Sequence, residues 1–193
     1  FKQKTAYEIR LSLVGSEMCI RDRAGNTKYE IRNTKLERNE IYIILDNVLD
    51  TYNIGAIFRL ADAVAAKRVI ICGQSETPPN HRIKKASINT TEVVEWAYAE
   101  SALSAVSNIR NQVLGIKVVA VELDKRSVKY DEYDYQLPIA LVVGHESDGV
   151  SQEVLAVCDG IVELPMFGVN ISLNVMVSLG IVLYKVLEKN QPR

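Results

Sequence analysis

The stretch Leu141-Val-Val-Gly-His-Glu-Ser-Asp-Gly149 joins an apolar run to a polar loop that is bounded by two glycines. A second stretch, Ile161-Val-Glu-Leu-Pro-Met-Phe-Gly168, repeats the pattern and leads toward Ser172-Leu-Asn174. Short β-branched runs that end at glycine or proline are typical of buried strands. Polar groups that follow two such strands predict a ligand site at one edge of a sheet.

Similar apolar runs extend through most of the chain. They predict buried strands at 41–45, 68–72, 116–121, 139–143 and 161–164, and helices at 54–66, 91–98, 101–114, 151–158 and 172–189. Strands that alternate with helices indicate the α/β class, with a mostly parallel sheet and helices on both faces. Residues 73–85, which contain Pro78-Pro79, break this rhythm and are predicted to form a long polar loop.

Length and composition narrow the class of protein. The chain has 193 residues, of which 48% are hydrophobic and 24% charged, so one globular domain is expected, at 41–190. No apolar run approaches the roughly 20 residues of a membrane-spanning helix, and we expect a cytoplasmic protein. The net charge of -1 disfavours general coating of nucleic acid but allows a local basic face. Three cysteines without CxxC spacing support neither disulfides nor a metal site.

The N-terminal residues do not follow the α/β pattern. Residues 1–24 have mixed polarity and no sustained period, so we interpret them as a non-native or artefactual segment. Residues 25–40 are rich in charge and predict a charged helix or tail. A solvated face is the preferred interpretation of this segment, and RNA contact is the alternative.

Two polar residues stand near the predicted carboxyl end of the first strand. Asn53 is a plausible N-cap of the following helix. Arg59 lies within that helix among apolar neighbours, so its guanidinium must emerge beside apolar surface. It can form an ion pair at the edge of the core, with Asp62 or Asp46, or it can clamp a phosphate, for which its planar fork is suited.

The loops of the C-terminal third hold further candidates. Glu146 can cap the helix at 151–158 or hold a substrate hydroxyl. His145 has no partner at the spacing of a catalytic triad. Ser172 is predicted to cap the last helix, which places Asn174 in the first turn among free backbone amides. ATPase and dehydrogenase activities are disfavoured, because the glycine loop lacks a Walker lysine and the chain has no GxGxxG.

Three blocks in fixed order resemble the motifs of the SpoU (TrmH-like) RNA 2′-O-ribose methyltransferases. They are Asn53-x-Gly55-x-x-x-Arg59, Gly144-x-Glu146-x-x-Gly149, and Leu164-Pro165-Met166 with Ser172-Leu173-Asn174. The resemblance covers about residues 41–189. It implies the SPOUT fold, whose C-terminal segment forms a deep trefoil knot, a rare exception to unknotted topology.

The resemblance also implies a cofactor and a set of site residues. S-adenosylmethionine is expected in the knot, and no metal is expected. The expected cofactor contacts are Val121, Glu122, Gly144, Leu164, Met166, Ser172, Leu173 and Asn174. The expected catalytic residues are Asn53, Arg59, Glu146 and Asn174. A homodimer is implied, in which Arg59 of one subunit completes the site of the other.

The implied substrate is a ribose 2′-hydroxyl in structured tRNA or rRNA, with tRNA slightly favoured because the enzyme of this resemblance is minimal. Arginine is a poor base, so we expect Arg59 to clamp an RNA phosphate. Arg82, Lys84 and Lys85, together with residues 28–38, are the expected RNA-binding surface. Two alternatives are an RNA base methyltransferase of the same knotted fold and a catalytically silent RNA-binding protein.

Overall fold

The computed structural model describes residues 37–190, together with the strand backbone at 20–21 and 27–28. The chain divides into two units, residues 1–37 and 38–193. In the first unit, strand β1 (Ile20–Arg21) pairs antiparallel with β2 (Thr27–Lys28). The predictions for 1–24 and 25–40 fall largely outside the described residues. Residues 39 and 40 belong to the first strand of the second unit, so the predicted charged segment ends too late.

The second unit is built on a seven-stranded sheet. Its strands stand in the order β5-β4-β3-β8-β6-β9-β7, and every neighbouring pair is parallel. Their bounds are β3 Asn39–Asp46, β4 Ala66–Cys72, β5 Trp96–Ala99, β6 Lys117–Val121, β7 Val128–Lys129, β8 Ile139–Gly144 and β9 Gly160–Glu163. The predicted parallel sheet of the α/β class is therefore confirmed.

Helices cover both faces of this sheet, as predicted. They are α1 (Thr51–Ala63), α2 (His81–Ser87), α3 (Ala102–Gln112), α4 (Gln152–Val157) and α5 (Val175–Asn190). Ile41 and Ile43 of β3 belong to the core cluster that includes α1, α2 and α5, whereas Tyr42 and Ile44 belong to the one that includes α3 and α4. Because side chains alternate along a strand, the apolar run at 41–45 within β3 supplies both cores.

The strand order creates a switch point in the middle of the sheet. From β3 the chain runs outward through β4 to β5, and it then returns to place β6, β8 and β9 on the other side of β3. Crevices at the carboxyl ends of strands near such a switch point are the usual ligand sites of open α/β sheets. The predicted trefoil knot stays a prediction.

Two predicted elements are wrong. Residues 91–98 are not a helix: a short 3-10 turn at Thr90–Glu92 is followed by β5, which pairs with β4. The predicted loop at 73–85 contains the start of α2, because the side chain of Asn80 caps it and Ile83 is buried in the core. In both cases a tertiary contact outweighs local pattern.

The close packing of α1 on α2 depends on one glycine. A Cβ at Gly55 would lie 2.5 Å from the Cβ of Ala86 and 2.8 Å from the carbonyl oxygen of Ile83. The helices could not approach this closely with a larger residue there. Across the described residues, no helix is both long and apolar enough to cross a membrane.

Candidate functional site

A cavity of about 550 Å³ opens at the carboxyl ends of β6, β8 and β9. Its walls are formed by the loops that follow these strands and by the segment that enters α5. All eight residues expected to bind the cofactor line it: Val121, Glu122, Gly144, Leu164, Met166, Ser172, Leu173 and Asn174. The structure therefore gathers into one cavity a set of residues that the sequence spreads over more than fifty positions.

The Gly144–Gly149 loop, which follows β8, forms one wall of the cavity. His145 and Gly149 exchange two backbone hydrogen bonds, of 3.0 and 2.9 Å. A Cβ at Gly144 would lie 2.1 Å from backbone atoms of Gly149, and Gly149 itself has φ +70°. Both glycines are required by this close, left-handed turn.

Glu122 holds the same loop from the neighbouring strand. Its carboxylate accepts one hydrogen bond from the backbone N–H of Val150, at 2.8 Å, and one from that of Leu123, also at 2.8 Å. Each carboxylate oxygen keeps a further lone pair for a ligand. Glu122 thus lines the cavity as expected and also fixes its wall.

We expect Gly144→Ala to weaken S-adenosylmethionine binding at least about tenfold and to cost about 1–3 kcal/mol of stability, because the new methyl group overlaps Gly149. Calorimetry and denaturant unfolding would measure the two effects. The matched control is Gly168→Ala, where a Cβ would meet no atom within 4 Å. Equal cofactor affinity in the two variants would contradict this account of the loop.

Glu146 ties the Gly144–Gly149 loop to the chain that enters α1. One carboxylate oxygen accepts from the backbone N–H of Leu49 (3.1 Å), and the other from the backbone N–H of Asp50 (3.0 Å) and the side-chain amide of Asn53 (3.0 Å). Burial works to raise the pKa of Glu146, but these donors outweigh it and hold that pKa below its ordinary value. Glu146 therefore secures the entry to α1 and does not cap the helix after residue 151.

Asn53 and Asn174 extend this network to α5. Asn53 is buried, at 6% exposure, and its side-chain oxygen accepts a hydrogen bond from the amide of Asn174 at 3.0 Å. The predicted caps are both shifted. Asp50, not Asn53, caps α1 by accepting from Tyr52, and Asn174, not Ser172, caps α5 by accepting from the backbone N–H of Met176. The caps shift because α1 begins at Thr51, before its predicted start at 54, and α5 begins at Val175, after its predicted start at 172.

We expect Glu146→Gln to destabilise the protein by about 1 kcal/mol or more at pH 7, because an amide N–H would face backbone donors. A carboxyl with a lowered pKa stabilises the fold above its unfolded pKa and loses that contribution as the pH falls through the folded value. The difference between variant and wild type should therefore shrink below about pH 4.5. Denaturant unfolding at several pH values checks this, with the exposed Glu100→Gln as control. A difference independent of pH would contradict it.

Arg59 is exposed on α1 and does not line the cavity of its own chain. Within residues 37–190 it forms no ion pair, so the interpretation as a partner of Asp62 or Asp46 is wrong. Asp46 is instead buried at 3% exposure and accepts from both the backbone N–H and the hydroxyl of Ser151, at 2.9 and 2.7 Å. The guanidinium is thus free to bind an anion.

The three expected RNA-binding residues of the 73–85 segment lie on α2. Arg82, Lys84 and Lys85 are all exposed, and α2 packs against α1. Lys84 contacts Glu92 at 3.1 Å, an exposed pair of small energetic value. None of the three lines the cavity, so the structure places them on a separate surface.

Sequence reasoning missed the link between Asp46 and Ser151. This contact joins the end of β3 to the start of α4 across 105 residues. An aspartate that ends an apolar strand was a usable signal, but nothing local indicates its distant partner. A second cavity beside Asp46 was also missed.

Comparison with known proteins agrees with the fold. The model of the SpoU rRNA Methylase family matches residues 40–184. The chain therefore belongs to this family.

Two curated relatives illustrate the similarity. The tRNA (guanosine(18)-2′-O)-methyltransferase of Aquifex aeolicus is 33% identical over 162 residues, which cover 81% of this chain and 72% of that protein. The 23S rRNA (guanosine-2′-O-)-methyltransferase RlmB of Pseudomonas aeruginosa is 30% identical over 160 residues, which cover 81% and 63%. The curated relatives that match are longer proteins, and the matched part of this chain spans between 58% and 72% of their lengths.

Solved structures show the same architecture. The TrmH/SpoU tRNA modifying enzyme of A. aeolicus superposes with a TM-score of 0.70 at 29% identity, covering 79% of this chain and 76% of that one. The AdoMet-bound rRNA methyltransferase from Sinorhizobium meliloti gives a TM-score of 0.72 at 28% identity, covering 81% and 59%. The predicted family and its SPOUT-type sheet are confirmed.

Proposed function

We propose that the protein transfers a methyl group from S-adenosylmethionine to a ribose 2′-hydroxyl of tRNA or rRNA. The observation that carries this proposal is the hydrogen-bonded network of Glu146, Asn53 and Asn174 at the edge of the cavity. It joins one residue from each of the three motif blocks. An unrelated fold would not be expected to bring these three residues, which lie far apart in sequence, into one hydrogen-bonded network.

The cavity fits the proposed cofactor in size and chemistry. Its volume of about 550 Å³ lies within the range of small-molecule sites. Leu164 and Met166 supply apolar surface, whereas Ser172 and Asn174 supply polar groups near the start of α5. The cofactor, when bound there, would supply an electrophilic methyl group. The protein's part is to hold the ribose oxygen in line with it.

Arg59 is proposed to bind the phosphate next to the target ribose. Arginine is a poor base, so Arg59 serves as a clamp that stabilises charge developing on the ribose oxygen. The clamped phosphate can take the hydroxyl proton. Glu146 is a poor base, because its pKa is lowered and three donors already occupy its oxygens. We assign it a positioning role through Asn53.

We propose a homodimer, which the position of Arg59 and the exposed apolar surface support. Val177, Ile181 and Tyr184 form one stripe on α5, with exposures of 39%, 36% and 56%. In the segment before α5, Phe167 and Val169 are almost fully exposed. Such a patch favours a protein partner, and a second copy would bring its own Arg59 toward this cavity.

We expect Ile181→Arg to convert the dimer to a monomer and to reduce methylation at least about tenfold, because it places a charge in the α5 stripe. Light scattering and a methylation assay on the same sample would test this. The control is Ser107→Arg on the exposed face of α3. An Ile181→Arg chain that is monomeric and fully active would contradict the shared site.

RNA is proposed to lie across α2 as well as the dimer site. Arg82 and Lys85 have no ion-pair partner among the described residues, so they can contact phosphates and release counterions. The part of the expected RNA-binding surface at 28–38 lies largely outside the described residues. The relatives act on both tRNA and rRNA by name, and the geometry supports either.

One experiment separates the proposal from its rivals. Titration with S-adenosylmethionine in a calorimeter should show binding, and incubation with unmodified tRNA and rRNA should yield nuclease-resistant dinucleotides, which report ribose methylation. A methylated base in place of these dinucleotides would identify a base methyltransferase. Absence of cofactor binding by the intact dimer would contradict the proposed enzymatic activity. It would instead identify a catalytically silent RNA-binding protein.

A further inference from the structure

The ring of His145 holds the Gly144–Gly149 loop from within. Its Nδ1 atom accepts from the backbone N–H groups of Ser147 and Asp148, at 3.1 and 3.2 Å. An imidazole nitrogen that accepts N–H groups carries no proton, so the neutral ring has its proton on Nε2. The two backbone hydrogen bonds between His145 and Gly149 close the base of the loop. The loop is therefore fixed both at its base and at its tip.

The tip of this loop belongs to the wall of the cofactor cavity. Ser147 and Asp148, whose N–H groups the ring binds, both line that cavity. Between them and His145 stands Glu146, which leaves the loop to bind the side-chain amide of Asn53 at 3.0 Å. A change in how the ring holds the loop should therefore change cofactor binding, even without a contact between the ring and the cofactor.

The acceptor at Nδ1 exists only in the neutral ring. Histidine changes charge between about pH 5 and 8, and a protonated imidazole donates from both nitrogens. A proton on Nδ1 would face the N–H groups of Ser147 and Asp148, so both hydrogen bonds would be lost. Asparagine commonly holds a turn of this kind through a side-chain oxygen, which accepts at any pH. With histidine in this place, the same contact depends on pH.

The charged groups around the loop do not remove this dependence. The carboxylates that line the two cavities are Asp46, Glu122, Glu146, Asp148 and Glu163, and no lysine or arginine of the described residues lines either cavity. All except Asp148 accept hydrogen bonds from other groups. The carboxylate of Asp148 lies 3.4 Å from Nδ1 and is 86% exposed, so it would pair with a protonated ring. An exposed ion pair is worth less than the two hydrogen bonds that protonation removes.

We propose that His145 is a positioning residue whose neutral ring shapes the Gly144–Gly149 loop for S-adenosylmethionine, so that cofactor affinity falls as the ring takes up a proton. The inference rests on the proposed function and adds to it a residue and a pH dependence. Its sign follows from linkage: the cofactor binds the chain with the neutral ring, and a lower pH reduces the fraction of chains in that form. Binding should therefore be strongest above about pH 7.

The test is calorimetric titration of the full chain with S-adenosylmethionine at about pH 7.5 and about pH 5.5. Asparagine places its Oδ1 atom where histidine has Nδ1, so His145→Asn keeps the acceptor and removes the titration. Glutamine places its oxygen one bond further out, so His145→Gln loses the contact at matched polarity. At about pH 7.5 we expect His145→Asn to bind like wild type and His145→Gln to bind about tenfold more weakly, the value of one to two hydrogen bonds. Denaturant unfolding confirms that each variant is folded.

The pH dependence separates a positioning role from a merely structural one. Between about pH 7.5 and 5.5, the wild-type affinity should fall at least about threefold more than that of His145→Asn. Titration of the cofactor's amino group and of Glu146 acts on both chains, so it cancels in this ratio. A parallel fall in the two chains would overturn the inference. Equal affinities of His145→Gln and His145→Asn at about pH 7.5 would overturn it as well.

Failure of this inference is distinguishable from failure of the proposed function. Absence of cofactor binding by every chain would contradict the proposed function. The role of His145 is then judged by nitrogen-15 NMR of its imidazole in the cofactor-free chain, and His81→Gln assigns the resonances because the chain has 2 histidines. A neutral His145 ring with no proton on Nδ1 supports the inference, and a neutral ring with its proton on Nδ1 overturns it.

Discussion

Arg59→Lys is expected to lower the turnover number by about 100- to 1000-fold, the usual cost of removing one preorganised donor to developing charge. Lysine keeps the positive charge but loses the planar fork that can bridge two phosphate oxygens. The affinity for S-adenosylmethionine should stay at the wild-type value, because Arg59 does not line the cofactor cavity of its own chain. The fold should also be unaffected, since Arg59 is exposed and has no ion-pair partner within residues 37–190.

Single-turnover kinetics with saturating RNA, together with calorimetry, would separate turnover from binding. The matched control is Arg82→Lys on α2, where a single phosphate contact needs charge but no fork, so a small effect is expected. A turnover number of Arg59→Lys close to that of wild type would contradict the proposed role of Arg59 as a phosphate clamp. A parallel loss of cofactor affinity would instead indicate that Arg59 supports the cavity.

Two inactive variants, Arg59→Ala and Asn174→Ala, are expected to restore activity when they are mixed as subunits of one dimer. If Arg59 acts on the partner's cavity, a mixed dimer has one site with both residues intact and one site with neither. Random mixing makes half of the dimers mixed, so about a quarter of the wild-type activity should return. If Arg59 acts within its own chain, every site lacks one of the two residues and activity stays near zero.

The mixing experiment needs dimers that are folded and exchange subunits. Asn174→Ala removes a helix cap, worth about 1 kcal/mol, and the link to Asn53, so its unfolding should be checked first. Each variant mixed with itself is the control for residual activity. Mixed dimers that are confirmed by differential tagging yet inactive would contradict a site shared between subunits.

Much of the fold was predictable from local pattern. Strands β3, β4, β6, β8 and β9 were each predicted within one to two residues, because every one is a β-branched run with little polar interruption. The failures lie where local pattern and tertiary contact disagree. The segment that forms β5 looks helical, yet it pairs with β4 at the edge of the sheet. The polar segment before residue 88 looks like a loop, yet Ile83 is anchored in the core.

For the candidate site, too, some features were predictable from the sequence and others were not. Six of the eight residues expected to hold the cofactor lie in the second and third motif blocks, Val121 and Glu122 lie at the end of β6, and all eight line one cavity. The roles of individual polar groups did not follow. Glu146 was expected to cap α4 or hold a hydroxyl, but it binds Leu49, Asp50 and Asn53 across more than ninety residues of sequence.

The sequence by itself determined the α/β class, the order of most elements and, through its resemblance to the SpoU motifs, the family and the eight residues that line the cavity. Apolar periodicity and glycine spacing are local properties, so they can be read without coordinates. Only the tertiary structure decided which donor meets which acceptor: Glu146 with Asn53, Asn53 with Asn174, Asp46 with Ser151. These contacts depend on the order of parallel strands, which brings distant strand ends to one edge of the sheet and places His145 and Asp148 between two cavities.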